Sequence, residues 1–216
     1  MKIAIVSPGK NFTAGYVKSL YLFMALAQKA KHEVDFVNDY SADLYTLRNL
    51  LAEAVVKRGR YDVMLWIDSD MSFDPQDAFT VLKRPAHLVS GLCLVDAVKS
   101  NAALFHDVDG EEVLSYPNGW RLEETGLVVK RGDLKGCLPV DMVGFGFLAI
   151  KKGVFESLIP PYFKSGAITS PKGRAYVASE DMGFTYRCSQ AGFRVYVDTT
   201  AKIGHEKTTI FKVGAT

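Results

Sequence analysis

The chain has 216 residues, 48% of them hydrophobic and 23% charged, enough apolar mass for one sizeable core and too much for a disordered chain or a coiled coil. Lys and Arg total 26 against 24 Asp and Glu, a formal net charge of +2 without a run of five like charges, which argues against nucleic acid as a partner. Three widely spaced cysteines, Cys93, Cys137 and Cys188, fit neither a zinc knuckle nor a disulfide framework and read as core thiols of a reducing compartment. The N-terminal apolar run Ile3–Val6 is too short for a signal segment and no stretch of 18 apolar residues follows, so a cytoplasmic protein with no transmembrane segment is expected.

Ile3–Val6 reads as a buried strand stopped by Ser7-Pro8-Gly9. Val17, Leu20, Met24 and Ala27 recur at helical spacing and predict a helix from about Tyr16 to Lys31. Val34–Val37 predicts a second strand closed by Asn38-Asp39. Ser41 then reads as the N-cap of a helix carrying Leu44, Leu47, Leu51, Ala54 and Val55. Val63–Ile67 is apolar at every position, as a strand buried on both faces must be, and it runs straight into Asp68-Ser69-Asp70. This alternation of strand and helix predicts a parallel α/β sheet with its functional loops at the carboxyl ends of the strands.

Asp74-Pro75 reads as N-cap and first-turn proline of a short helix to Leu82, and Leu88–Val95 as a fourth strand. Asp109-Gly110 and Asn118-Gly119 predict hairpin turns, so the segment 102–129 should hold antiparallel excursions. Val143–Ile150 returns to buried strand character. Residues 164–178 lack apolar periodicity and read as a mobile loop. Ser179 then caps a helix over Glu180–Ala191, Gly192 ends it, and Arg194–Asp198 is the last strand. No linker or repeat divides the chain, and one domain over residues 1–216 is expected.

Three short constellations carry chemistry. Asp68-Ser69-Asp70 places two carboxylates at a strand exit, where they either hold a divalent cation on a diphosphate or solvate a turn. An EF-hand is a poor fit, because Phe73 and Phe79 stand where its glycine and bidentate Glu belong. Glu180-Asp181 opens a helix, a place the helix dipole favours for acids whatever their function. His205, in Gly204-His205-Glu206 beyond the last strand, offers either a nitrogen ligand to an oxygen-rich metal site or a structural hydrogen bond. Gly144-Phe145-Gly146 reads as a close backbone approach to a ligand or as a strand bulge. Trp120 reads as a stacking platform for a sugar or as a core residue.

In this order and spacing the three constellations resemble the GT-A glycosyltransferases, particularly the family 2-like enzymes that use nucleotide sugars. Arg48-Asn49, Asp74-Pro75, Val140–Phe147 and the closing EDMGFTYRCSQAGFRVYVDTTAKIGH extend that resemblance over nearly the whole chain. It implies a mixed, mostly parallel sheet flanked by helices, with a nucleotide-binding half over residues 1–95 and an acceptor and catalytic half over 96–216. It implies a metal site of Asp68, Asp70 and His205 for Mn2+ or Mg2+, and Asp181, or else Glu180, as the base that deprotonates the acceptor hydroxyl. Ser7, Pro8, Asn38, Asp39, Arg48, Asp68 and Ser69 would line the nucleotide side, and Gly144, Phe145 and Gly146 would face donor and acceptor. Apart from the resemblance, Lys172, Arg174 and Lys207 read either as positive charge over the diphosphate, if the 164–178 loop and the C-terminal tail fold down on the donor, or as solvated surface cations.

The expected reaction is inverting transfer from a nucleotide-diphosphate sugar, UDP-sugar first, to a hydroxyl acceptor such as a glycan. Two other readings stand beside it. Ser7-Pro8-Gly9-Lys10 is a faint version of the Gly-rich basic loop of a sugar-phosphate nucleotidyltransferase, and the same core composition suits a non-catalytic nucleotide-sugar binding module.

Overall fold

The all-apolar strand after the second helix lies inside the sheet with a strand on either side, and helices close over both of its faces. The computed structural model describes residues 1–95, 99–116 and 136–207. The first half runs β1 (Lys2–Pro8), α1 (Ala14–Lys29), β2 (Glu33–Asp39), α2 (Leu44–Arg58), β3 (Val63–Ile67), β4 (Met71–Phe73), α3 (Pro75–Lys83) and β5 (Leu88–Leu92). Then follow β6 (Ala102–Val108), β7 (Glu111–Ser115), β8 (Cys137–Pro139), β9 (Met142–Val143) and β10 (Phe147–Lys151). The chain continues through β11 (Gly166–Thr169), β12 (Ala175–Ala178), α4 (Glu180–Gln190) and β13 (Val195–His205).

The main sheet has the order β2-β1-β3-β10-β5-β13-β4, with β8 also paired to β13. Strands β2, β1, β3, β5 and β13 run parallel, and β10, β4 and β8 are antiparallel to their neighbours. Alternation along β3 sends Met64 and Trp66 into the core under α2 and α4, and Val63, Leu65 and Ile67 into the core under α1 and α3. A third, smaller apolar cluster holds Ala103, Met142, Ile168, Ala178 and Tyr186, between β6, β9, β11, β12 and α4.

Several expectations change in detail. The buried face of α1 is Tyr16, Ser19, Phe23 and Ala27, while Val17 and Met24 are exposed. The apolar residues of this helix ring it almost completely, so spacing alone does not select a face. The N-cap of α2 is Asp43: its Oδ1 accepts from the N–H groups of Tyr45 and Thr46, which Ser41, two residues earlier, does not reach, and Ser41 accepts from Asp43 N–H instead. The single strand expected over Val143–Ile150 is two strands, β9 and β10, with Gly144-Phe145-Gly146 crossing between them.

Residues 164–178 hold an ordered hairpin, β11–β12, rather than a mobile loop. Ile168 and Ala178 bury into the third cluster, Gly173 takes a φ of +83° in the turn, and Lys172 and Arg174 pair with Asp107 and Glu111 of the neighbouring hairpin. A turn at Asp109-Gly110, both at positive φ, joins β6 to β7 as expected. Asn118-Gly119 and Trp120 lie outside the described residues. The last strand does not stop at Asp198: it shifts register between Asp198 and Lys202 and carries on to His205, where its end pairs with β4.

Candidate active site

The Asp68–Asp70 turn is pinned by backbone hydrogen bonds from three directions. Asp68 N–H donates to Gly146 O at 3.0 Å, Thr13 N–H to Ser69 O at 3.0 Å, and Glu206 N–H to Asp70 O at 2.8 Å. The segment before β10, the start of α1 and the end of β13 therefore meet at the exit of β3. A carboxylate mounted on such a turn is aimed by the fold and not by its own rotamer alone.

On one side of the turn stands a buried cation. Arg48 projects from α2, is 2% exposed, and reaches Glu180 Oε1 at 2.5 Å, Asp68 Oδ1 at 3.2 Å and Asp181 Oδ2 at 3.8 Å. One guanidinium thus ties the strand-end aspartate to both acids of the α4 N-terminus, and its carbon lies 5.4 Å over the Phe145 ring. Burial pushes the Asp68 carboxyl above the usual carboxylate range; Arg48 opposes that shift and the nearby Asp181 adds to it. Asp181 Oδ1 accepts from Met182 N–H at 2.7 Å and from the Ser179 hydroxyl at 2.5 Å, and Oδ2 from Phe145 N–H at 3.3 Å. A Cβ on Gly144 would stand 3.3 Å from that Oδ2, so the glycine is what lets the backbone come this close.

On the other side the groups are open. His205 Nε2 faces Asp70 Oδ2 at 3.0 Å, its Nδ1 lies 3.0 Å from the Leu94 carbonyl, and Lys207 Nζ lies 3.8 Å from the same Asp70 oxygen. The Leu94 carbonyl only accepts, so Nδ1 carries the proton and Nε2 is turned to the carboxylate. A separation of 3.0 Å is what an octahedral ion with bonds of about 2.1 Å asks of adjacent ligands.

Among the described residues no group of three His, Cys, Asp or Glu side chains converges tightly enough to hold a metal unaided. The expected trio is divided, with Asp68 on Arg48 and Asp70 on His205. One carboxylate oxygen suits a hard divalent ion and one imidazole nitrogen a softer one, so an ion of intermediate character held here would take its remaining ligands from phosphate oxygens and water.

A cavity of about 410 Å³ opens beside the turn, and Asp68, Gly144, Phe145, Gly146, Asp181 and His205 all line it. Glu180 does not: it faces Arg48. Ser7, Pro8, Asn38, Asp39 and Ser69 gather elsewhere, at the ends of β1 and β2. There the Asn38 amide donates to the carbonyls of Ser7 at 2.7 Å and Gly9 at 2.8 Å, and a Cβ on Gly9 would stand 3.0 Å from Ser69 Oγ. Ser7 is buried with its hydroxyl on Tyr16, and Asp39 is exposed and accepts from Tyr40 N–H. Lys172 and Arg174 are taken by Asp107 and Glu111, on the hairpins and not on the turn.

Sequence reasoning passed over the cavity residues Met71, Asn101 and Tyr176. A Cβ on Gly146 would meet Met71 Cε at 2.6 Å, and this glycine is the one signal that a side chain crosses there.

No family model and no curated protein matches the sequence. Solved structures do match over nearly its whole length. A197 from STIV aligns at a TM-score of 0.53 and 14% identity, over 99% of this chain and 98% of that one. The chain has the GT-A fold. GalNAc-T7, solved with UDP, GalNAc and Mn2+, aligns at 0.54 and 11% identity over 94% of this chain, which spans 43% of the GalNAc-T7 chain. Drosophila β1,4-galactosyltransferase 7, solved with manganese, UDP-Gal and xylobiose, aligns at 0.52 and 13% identity, over 96% of this chain and 71% of that one. At these identities the likeness fixes the GT-A architecture, and the chemistry rests on the residues themselves.

Proposed function

We propose that this chain is a metal-dependent glycosyltransferase that moves a sugar from a nucleotide-diphosphate donor, UDP-sugar in the first instance, to an acceptor hydroxyl with inversion. The observation that carries the reading is the shared cavity: Asp181 opens into the space that Asp68 and His205 line, with Asp70 directly behind His205. UDP and Mn2+ accompany GalNAc-T7, which has the same fold, and support the choice of donor and ion.

Asp70 and His205 would hold the divalent ion, with Asp68 beside it, and the ion supplies charge neutralisation for the departing diphosphate. Lys207 adds a further positive charge to that side, and the loops at Ser7–Gly9 and Asn38-Asp39 line the nucleotide side of the turn. Asp181 takes the proton from the acceptor hydroxyl as the acceptor attacks the anomeric carbon. Its carboxylate is held for that role by three donors, Ser179, Met182 N–H and Phe145 N–H, which fix both oxygens before substrate arrives. Arg48 keeps Asp68, Glu180 and Asp181 in register. Glu180, turned away from the cavity, serves that register.

The test is donor turnover, as hydrolysis or transfer, with a panel of nucleotide sugars with and without Mn2+. Asp70→Ala should abolish stimulation by the metal. Wild-type turnover and metal affinity in that variant would sink the mechanism.

A further inference from the structure

Resting on the transferase reading, we infer that the cavity beside Asp181 selects an acceptor whose hydroxyl lies next to an aromatic or aliphatic group, in preference to a free oligosaccharide.

The third apolar cluster is separate from the two cores that pack the sheet, and among the described residues its edge is not closed. Leu114, Tyr116, Tyr176 and Met182 are half-buried: one side of each packs on the cluster while each also lines the cavity that holds Asp181. Met142 and Ile168 line it from within the cluster. Two further lining residues are apolar and open to solvent, Val177 at 93% exposure and Val95 at 47%. An apolar wall that continues to an apolar lip is a surface an apolar ligand would dry.

Three of the polar side chains of the same wall, Asn101, Ser100 and Ser179, already have partners. The Asn101 amide donates to Ser90 Oγ at 2.7 Å and Gly91 O at 3.0 Å, and its oxygen accepts from Cys93 N–H at 3.1 Å. The Ser179 hydroxyl is on Asp181 and the Ser100 hydroxyl on Ala102. The Lys99 ammonium lies 5.3 Å over the Tyr116 ring. A polyhydroxylated acceptor entering this space would exchange water for a wall whose described lining is mainly apolar and whose Asn101, Ser100 and Ser179 are already paired, which selects against it. An aryl or alkyl group would lose nothing of the kind, and a volume of about 410 Å³ suits a small molecule of that type.

Ligand-observed NMR titrations of the full chain with phenyl β-glucoside, octyl β-glucoside below its micelle concentration, and cellobiose test this directly. The two glucosides should bind at least tenfold more tightly than cellobiose, and Leu114→Asn and Val177→Asp should each reduce that ratio at least threefold. Thermal melts report whether the variants fold; Val177→Asp changes an exposed residue and decides the matter if Leu114→Asn does not fold. A ratio near one, a preference for cellobiose, no binding of any probe, or a ratio that folded variants leave unmoved would overturn the inference. Donor turnover is read separately: if no nucleotide sugar is turned over with Mn2+, the transferase reading fails, while the binding ratio still tells whether the cavity selects apolar ligands.

Discussion

The two aspartates of the strand-end turn are one residue apart and live in different electrostatic worlds. Asp68 shares a buried guanidinium with Glu180 and Asp181, so its countercharge is covalently part of the chain. Asp70 faces an imidazole and a half-exposed lysine, with room for a countercharge that comes and goes. A permanent cation gives rigidity, because removing it leaves several carboxylates unmatched. An exchangeable one suits a ligand that arrives with a diphosphate and leaves with it. On the proposed reading, a chain with a net charge of only +2 would meet a diphosphate with positive charge that is either buried or borrowed.

Removing the permanent cation should have the largest effect. Arg48→Met leaves three acids without their partner and should lower stability by about 3–5 kcal/mol, measured by urea unfolding. A loss under about 1 kcal/mol would show that the cluster is ordinary surface charge. Asp181→Asn should lower transfer by about 100- to 10,000-fold, while the denaturation midpoint falls only modestly, because an amide oxygen in the Oδ1 place still accepts from Met182 N–H and Ser179 and only the 3.3 Å bond from Phe145 N–H is lost. Retained turnover in that variant, or retention of configuration by anomer-resolved NMR, would remove Asp181 from the base role.

On the open side, His205→Ala should cost no more than about 1 kcal/mol of stability, since the pair it breaks is partly solvated. Its main effect should be a raised Mn2+ requirement in the turnover assay; an unchanged requirement would mean the pair is structural. The smallest effect should come from the thiols. Burial pushes Cys93 and Cys188 up to about 12 and Cys137 up to about 11, so all three stay protonated near neutrality. Iodoacetamide at pH 8 should label the folded protein slowly and the urea-unfolded chain at all three sites. Rapid labelling of Cys93 in the folded state would mean that the cavity floor opens.

Residues 1–95 were legible for the most part because all of their elements but β4 carry a local signal. Val63–Ile67 can only be a strand buried on both faces, Asp74-Pro75 can only open a helix, and the loops at the ends of β1 and β3 follow from a parallel sheet. The hairpin half was legible only in part. Its β11–β12 strands are four residues each and hold too little apolar periodicity to read alone. They exist because Ile168 and Ala178 find a cluster built by distant strands, and because Lys172 and Arg174 find Asp107 and Glu111.

The sequence by itself determined the alternation of strand and helix from β1 to β3 and placed the acids and the histidine at strand ends and a helix start, because buried runs, caps and turns are local. Only the tertiary structure decided which of them act together. Arg48 meets Glu180 at 132 positions' distance along the chain, and Asp70 meets His205 at 135. Pairings that distant depend on packing, and it is packing that gave Asp68 a built-in cation, set Asp70 against His205 and Lys207, and turned Asp181 rather than Glu180 into the cavity.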